Sequence, residues 1–458
     1  MNRRDILYGF GACTIGGIVG GTVALQALAA DRQLKLLRRN AAILPDTVTE
    51  GLMAFGDAVP AVLRLPRGRD VSVDVTNSLR EASTIHWHGL RVMNAQDGVP
   101  FVTQPPILDG ATHRYVLNSP DAGTFWMHPH CNTIEQMSRG LSGIVIVDED
   151  EPLPFDLDLP VLLRDFRLDG EGRFIAFSKP RNASRGGTLG TVSTANWQTA
   201  PRFEAPAGGL VRLRLVIADV TRIYHLQLSG AEHGVIAIDG HPLAFELNLS
   251  TFPVGPGQRV DLAVLMPERA GDVVTLTRRA ANSVEEPVLT LSATGKSRAR
   301  RMAELPPLPS NPLNEPDLAA AETVPFLFGW SPGGAEPVPT ICGTPEFAFW
   351  SINRVAWSDD QAVIPEPAAR LKFGRSYILR LMNETPNDHP IHLHGLAFKL
   401  LRSSIRYVPP LWTDTALLLS KETMEVALVA DNPGQWAFHC HVIEHQKTGL
   451  TGYLTVDV

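Results

Sequence analysis

Apolar and polar residues alternate in short runs along most of this chain. The clearest run is Val71-Ser72-Val73-Asp74-Val75, in which every second side chain is apolar, the period of a strand with one face buried. Similar runs at 59–65, 114–116, 140–147, 211–216, 223–228, 260–265 and 273–276 are separated by turns rich in glycine and proline. No long stretch holds the 3.6-residue period of an amphipathic helix. Many short strands with such turns predict an all-β protein of sandwiches or barrels, in which the sheet edges are shielded.

A chain of 458 residues, 44% of them apolar, is long enough for about three domains with separate cores. Pro152-Leu153-Pro154 closes a first block, and the segment from Pro306 to Pro316 carries five prolines and reads as an extended connector. The expected division is 45–155, 156–305, a linker at 306–325, and 326–458. A recurring phrase of turn, glycine, nearby arginine and alternating strand marks Arg67-Gly68-Arg69-Asp70-Val71, Gly255-Pro256-Gly257-Gln258-Arg259-Val260 and Phe373-Gly374-Arg375-Ser376-Tyr377. Each copy is expected to begin an equivalent strand of its block.

Residues 1–30 stand apart from this pattern. Arg3 and Arg4 precede a weakly apolar, glycine-rich run that closes on Ala27-Leu28-Ala29, which resembles a twin-arginine export signal with a small-x-small cleavage site. Export to the periplasm or beyond, with no stable membrane span after processing, is therefore expected. The net charge of -7 includes no long basic stretch, so a nucleic-acid partner is not indicated and a small molecule is. Outside the leader lie Cys131, Cys342 and Cys440. An odd count in an oxidising compartment suggests one disulfide, here Cys131 with Cys342, and one thiol held by something else.

Ten of the fourteen histidines fall in four short segments: His86-Trp87-His88, His128-Pro129-His130, His389-Pro390-Ile391-His392-Leu393-His394, and His439-Cys440-His441 with His445 beyond. On a strand, residues i and i+2 project from one face roughly 7 Å apart. The pairs 86/88, 128/130, 392/394 and 439/441 can thus send eight imidazoles into one pocket. A core has no use for so many, since every buried ring nitrogen needs a partner. Two pairs lie in the first block and two in the third, so a shared site has to form where those blocks meet. Cys440 points away from its two neighbours, and with His389 and His445 it makes a two-histidine, one-cysteine set suited to copper. An electron on that copper would reach the eight-imidazole pocket through the backbone of adjacent residues.

These four segments resemble the copper signatures of the multicopper oxidases. The likeness extends through Asp97-Gly98-Val99-Pro100, Gln104, Gly123-Thr124-Phe125-Trp126, Gly140-Leu141-Ser142-Gly143, Asp239-Gly240 and Trp412-Thr413-Asp414-Thr415. It implies three cupredoxin-like Greek-key β-sandwich domains and four copper ions. A type 1 copper would sit on His389, Cys440 and His445, with Leu450 as a non-ligating axial residue. A type 2 copper would use His86 and His392. The type 3 pair would use His88, His128 and His441 on one ion and His130, His394 and His439 on the other.

The same resemblance implies one-electron oxidation of a small reductant and four-electron reduction of dioxygen to water. Asp97 is the expected proton carrier. A second acid follows the last type 1 histidine in related cuprous oxidases, but this chain has Gln446 there, leaving that role missing or assigned to Glu444 or a water chain. His445 is expected near the surface as the point of electron entry, with Asp388 as a possible substrate contact. With nine methionines and no methionine-rich insert, a laccase-like reaction on phenols or aromatic amines is favoured. The alternatives are a cuprous or ferrous oxidase and a non-catalytic copper scaffold of the same fold. A monomer is expected.

Overall fold

The computed structural model describes residues 33–280, 284–333, 340–343 and 347–458. The twin-arginine leader expected over residues 1–30 lies outside them. Among the described residues no helix is long and apolar enough to cross a membrane.

The described residues form six sheets, from strands that alternate as the sequence does. Strand Val71–Ser78 buries every second side chain against its partner sheet, and strand Leu226–Ser229 alternates in the same way. Strand Leu210–Ile217 is buried along its whole length because it is covered on both faces. Two four-stranded sheets draw on residues 33–148, a six- and a four-stranded sheet on 157–294, and a six- and a five-stranded sheet on 322–457. Together they form three β-sandwiches of the cupredoxin-like class. Among the described residues helices are short, such as Thr133–Ser138 and Ile443–Lys447. Strand Gln33–Ala41 precedes residue 45, the expected start of the first block, and joins its sheet beside Val71–Ser78.

Register across the three sandwiches revises the repeat read from the sequence. A strand runs parallel to Val71–Ser78 in the first, to Leu210–Ile217 in the second and to Ser376–Asn383 in the third. The glycine turns leading into these strands make one equivalent hydrogen bond each, Gly68 to the Ser119 carbonyl, Gly208 to Pro267 and Gly374 to Ala430. The phrase at 255–260 instead opens Arg259–Leu265, the antiparallel neighbour of Leu210–Ile217, so it is not the equivalent of the other two. The true second copy, Ala207-Gly208-Gly209-Leu210, lacks the arginine that defined the phrase.

The sandwiches pack by two kinds of contact. One continuous apolar core spans the second and third, and a smaller cluster joins Trp126 and Ile144 of the first to Leu162 and Val216 of the second and Ile443 of the third. Between the first and second, buried Arg212 and Arg214 share the Asp261 carboxylate, which also accepts from Thr124. Cys131 and Cys342 form the expected disulfide across 211 residues, fastening the first sandwich to the third beside the first block's histidines. Replacing both cysteines by serine should lower stability by about 2–5 kcal/mol, through the freedom returned to the unfolded chain. Thermal unfolding with and without reductant checks this, since only the parent protein should respond to the reductant.

Candidate metal centre

The histidine pairs sit where strands end. His86 and His88 lie on Ile85–His88; His130, His394 and His441 each stand just past the strands Gly123–Pro129, His389–Leu393 and Gly434–Cys440 that carry their partners. Antiparallel pairing sets His86 opposite His128 in the first sandwich and His392 opposite His439 in the third. The two sandwiches then meet ring on ring, with His86 stacked on His394 and His88 on His392, each at 3.7 Å between centroids. All eight rings are buried. Ending each strand here matters, because continued pairing would have closed the pocket.

The outer nitrogens of six of these rings are fixed by hydrogen bonds, which determines where the inner ones point. Nδ1 donates to a backbone carbonyl in His86 (Asp97, 2.9 Å), His392 (Asp414, 2.9 Å), His439 (Cys440, 2.9 Å) and His128 (Pro129, 3.1 Å). In His394 it donates to the Asp97 carboxylate at 2.9 Å, whereas in His88 it is Nε2 that donates, to Asp414 at 3.1 Å. Burial, ahead of the neighbouring rings, holds His88, His128, His394, His439 and His441 well below the ordinary imidazole range, so the rings are neutral. A neutral ring that donates from one nitrogen offers a lone pair from the other.

Those lone pairs converge with no proton between them. His394 and His439 bring their Nε2 atoms to 3.0 Å, and His86 and His392 to 3.4 Å. Among the described residues His88 Nδ1, His128 Nε2 and both nitrogens of His441 lack a hydrogen-bond partner. Buried acceptors facing acceptors are unfavourable until a cation lies between them, and ligand rings held through their far nitrogen are what a metal site requires. Ligand atoms lie within 4.8 Å of one another in the groups His88/His128/His441, His130/His394/His439 and His86/His88/His392. The residues fit bound copper.

The same histidines set a pH response for the metal-free protein. Unfolded imidazoles take up protons below about pH 6.5 while the buried ones resist, so the unfolded state binds more protons and stability falls as pH drops through that value. Each ring that stays neutral costs up to about 1.4 kcal/mol per pH unit. Melting of the metal-free protein should therefore move steeply downward from pH 7 to pH 5; a flat profile would mean the rings are not held neutral.

Cys440 occupies the opposite face of its strand. Its Sγ lies 3.6 Å from Nδ1 of both His389 and His445, whose Nδ1 atoms are 3.1 Å apart, while His439 on the same strand faces His394. Sulfur and flanking rings are thus divided between two sites. Burial pushes the Cys440 thiol up, with only the Val442 N–H acting against it, so a thiolate forms here only with a metal to compensate it. Leu450 is buried beside this trio, its carbonyl accepting from the Cys440 N–H.

The other residues named from sequence fall in different places. Asp97 touches the cluster through both oxygens, one 3.2 Å from His86 Nδ1 and one on His394. Glu444 is turned away, accepting from the backbone N–H and hydroxyl of Thr188 and from the Lys179 N–H. A further acid beside the cluster is Asp359, in contact with His130 and 2.6 Å from Lys447 Nζ. Burial alone would raise it, but Lys447 and His130 outweigh burial and hold it below the usual carboxylate range. Its neighbour Asp360 is pushed up to about 7 by burial and then by Asp359, against the pull of Lys447. Gln446 donates to Asp359 at 3.3 Å. Asp388 accepts from the Ser420 N–H. His445 is buried rather than exposed, and its Nε2 donates to the carbonyl of Arg185, an exposed residue, at 2.6 Å.

The second sandwich supplies no histidine to either group, yet it locks the arrangement. Arg259 reaches from it to both oxygens of Asp414, at 2.9 and 2.6 Å, and to the Thr124 carbonyl. Burial opposes ionisation of Asp414, and Arg259 followed by His88 more than reverses this. Gly257, at φ +92°, lies so close that a Cβ would meet His441 at 2.8 Å and His88 at 3.1 Å, so a larger residue would displace the rings. Neither Arg259 nor Asp359 carries a sequence signal of function, because each acts through a contact more than 150 residues away or onto a residue far along the chain.

Two family models described as multicopper oxidase match residues 38–152 and 339–458. The chain is 38% identical to a multi-copper oxidase of Pseudomonas thermotolerans of known structure, over 94% of this chain and 100% of that one, with a TM-score of 0.83. It is 26% identical to the multicopper oxidase MmcO of Mycobacterium tuberculosis, over 95% of this chain and 91% of that protein. Laccase-1 of Botryotinia fuckeliana is 26% identical over 91% of this chain and 80% of its own length. The chain belongs to the multicopper oxidase family, and is a copper-dependent oxidoreductase with oxygen as acceptor.

Proposed function

We propose that the protein is a laccase-like oxidase that takes single electrons from phenols or aromatic amines and delivers four to dioxygen. The observation that carries this reading is the split at Cys440, whose sulfur joins His389 and His445 while His439 and His441 join the opposite group. His389, Cys440 and His445 hold a type 1 copper. His86 and His392 hold type 2, and the trios His88/His128/His441 and His130/His394/His439 hold the type 3 pair. When bound, the four coppers supply a one-electron acceptor and a site that reduces dioxygen to water without releasing partly reduced oxygen.

The chain's residues do the rest. The peptide unit between His439 and Cys440 is a covalent conductor between the two groups. Leu450, buried beside these three residues, carries no lone pair, so a copper held there would have only their donors and its oxidised form would be stabilised less. Asp97, hydrogen-bonded to His394 and close to His86, can hold a proton at the edge of the cluster, and Asp359 stands beside His130. The leader fits export to the periplasm in folded form, and the enzyme acts as a monomer.

Metal analysis combined with oxygen uptake on phenols, Cu(I) and Fe(II) tests the reading. About four coppers per chain with turnover on phenols are expected. Turnover on metal ions alone would make the protein a metal oxidase, and failure to hold copper would return it to a scaffold.

A further inference from the structure

We infer that Trp330 and Trp350 form a stacked indole relay that carries electrons from an aromatic donor at the surface to the copper held by His389, Cys440 and His445. The inference rests on the reading of those three residues as a type 1 site. Both histidines are fully buried, and their outer nitrogens are occupied: His445 Nε2 by the Arg185 carbonyl at 2.6 Å and His389 Nε2 by the Thr385 hydroxyl at 2.8 Å. No donor reaches either ring edge directly in this arrangement.

An aromatic route does reach the surface. Trp350 packs against both rings, with centroids 4.7 Å from His445 and 5.2 Å from His389. Trp330 lies directly across from it on the paired strand, and the two indoles stack at 4.3 Å with an interplanar angle of 18°. Trp350 is fully buried, whereas Trp330 is 40% exposed and lines an open depression of about 560 Å³ with Ser184, Arg185, Pro386 and Asn387. One segment fixes the inner part of this route, since Ala183 accepts from the Trp350 indole N–H at 2.8 Å and Arg185 caps His445.

Two large aromatic side chains in this register gain from stacking, but stacking does not require the outer one to be exposed. Electron coupling decays steeply through empty space and is best kept by π systems in van der Waals contact. A planar, electron-rich phenol laid on the free face of Trp330 completes an unbroken chain of ring contacts, stacked between the indoles and tilted or edge-on at the two imidazoles. Its O–H bond breaks, the proton passes to solvent, the phenoxyl radical leaves, and the single electron crosses the two indoles toward the copper, with dioxygen as the final oxidant. Arg185, exposed at the rim, favours phenols that also carry an acid group.

The test uses copper-loaded Trp330→Leu (W330L), Trp330→Phe (W330F) and parent protein, mixed without oxygen with 2,6-dimethoxyphenol while the blue absorption is followed. W330L should bleach about tenfold more slowly and bind the phenol about three- to tenfold more weakly, W330F should fall between, and both should keep the parent's blue spectrum and copper content. In copper-free parent protein, 4-nitrophenol should shift the Trp330 indole N–H resonance. A blue W330L protein reduced as fast as the parent, or an indole resonance indifferent to 4-nitrophenol, would overturn the relay alone. A copper-loaded parent without blue absorption would remove the type 1 reading and the relay together.

Discussion

Cys440→Ser (C440S) is expected to abolish the blue absorption, reduce oxygen uptake with phenolic donors to background, and leave the protein folded with one copper fewer. The side chain is fully buried, and its sulfur is 3.6 Å from each of the two ring nitrogens that complete its group. Serine fills nearly the same volume, so packing changes little. A buried hydroxyl is far less acidic than a thiol and is a hard donor, so it neither forms the anion nor matches copper as thiolate does. The eight histidines of the other group make no contact with the sulfur, and their copper should remain. Copper stoichiometry, the visible spectrum and oxygen consumption measured on one preparation check all three statements. Blue colour persisting in the variant would place the thiolate elsewhere and dismantle the division at this strand.

Asp414→Asn (D414N) is expected to be the most damaging change outside the ligands. Asp414 is the principal counter-charge of Arg259, which is itself fully buried. Removing one member of a buried ion pair typically costs about 3–5 kcal/mol, because the other is left uncompensated. Asp239 offsets part of this. Burial raises its carboxyl to about 7, with Arg259 pulling it down and Asp414 pushing it up; once Asp414 is neutral, Asp239 ionises and takes over some of the pairing with the guanidinium 3.3 Å away. His88 also loses an anionic acceptor, and His392 a nearby carboxylate. The measurable result is a lower melting temperature together with depleted copper in the histidine cluster. Full copper with unchanged melting would show that Arg259 does not depend on this partner.

The difference between what these residues are and where they act governs how much could be read from the chain. The all-β class followed from the period of runs such as 71–75, and the two metal groups followed from the spacing of His-x-His and the parity of Cys440, because strand geometry converts short sequence intervals directly into direction. Counting cysteines suggested one disulfide and one thiol held by something else, and setting Cys440 aside for metal left Cys131 and Cys342 to pair. The second acid was not legible in this way: Gln446 marked where one was absent, but Asp359 reaches His130 from a loop 229 positions further on, and no local pattern encodes that approach. The burial of His445 was equally invisible, since it depends on the Arg185 carbonyl contributed by another sandwich. The misassigned repeat at 255–260 arose because a glycine turn next to an arginine says that a strand begins without saying which one.

The distribution of ligands along the chain has a consequence for how the enzyme matures. His389, Cys440 and His445 all belong to the last sandwich, whereas every grouping of the other eight needs rings from both ends of the polypeptide. A nascent chain therefore displays four first-block imidazoles long before their counterparts have been synthesised, and the short stretch from His439 to His445 completes both groups almost at once. Metal captured earlier could be bound only by an incomplete set of donors, so faithful loading belongs after that stretch has emerged and the outer sandwiches have docked.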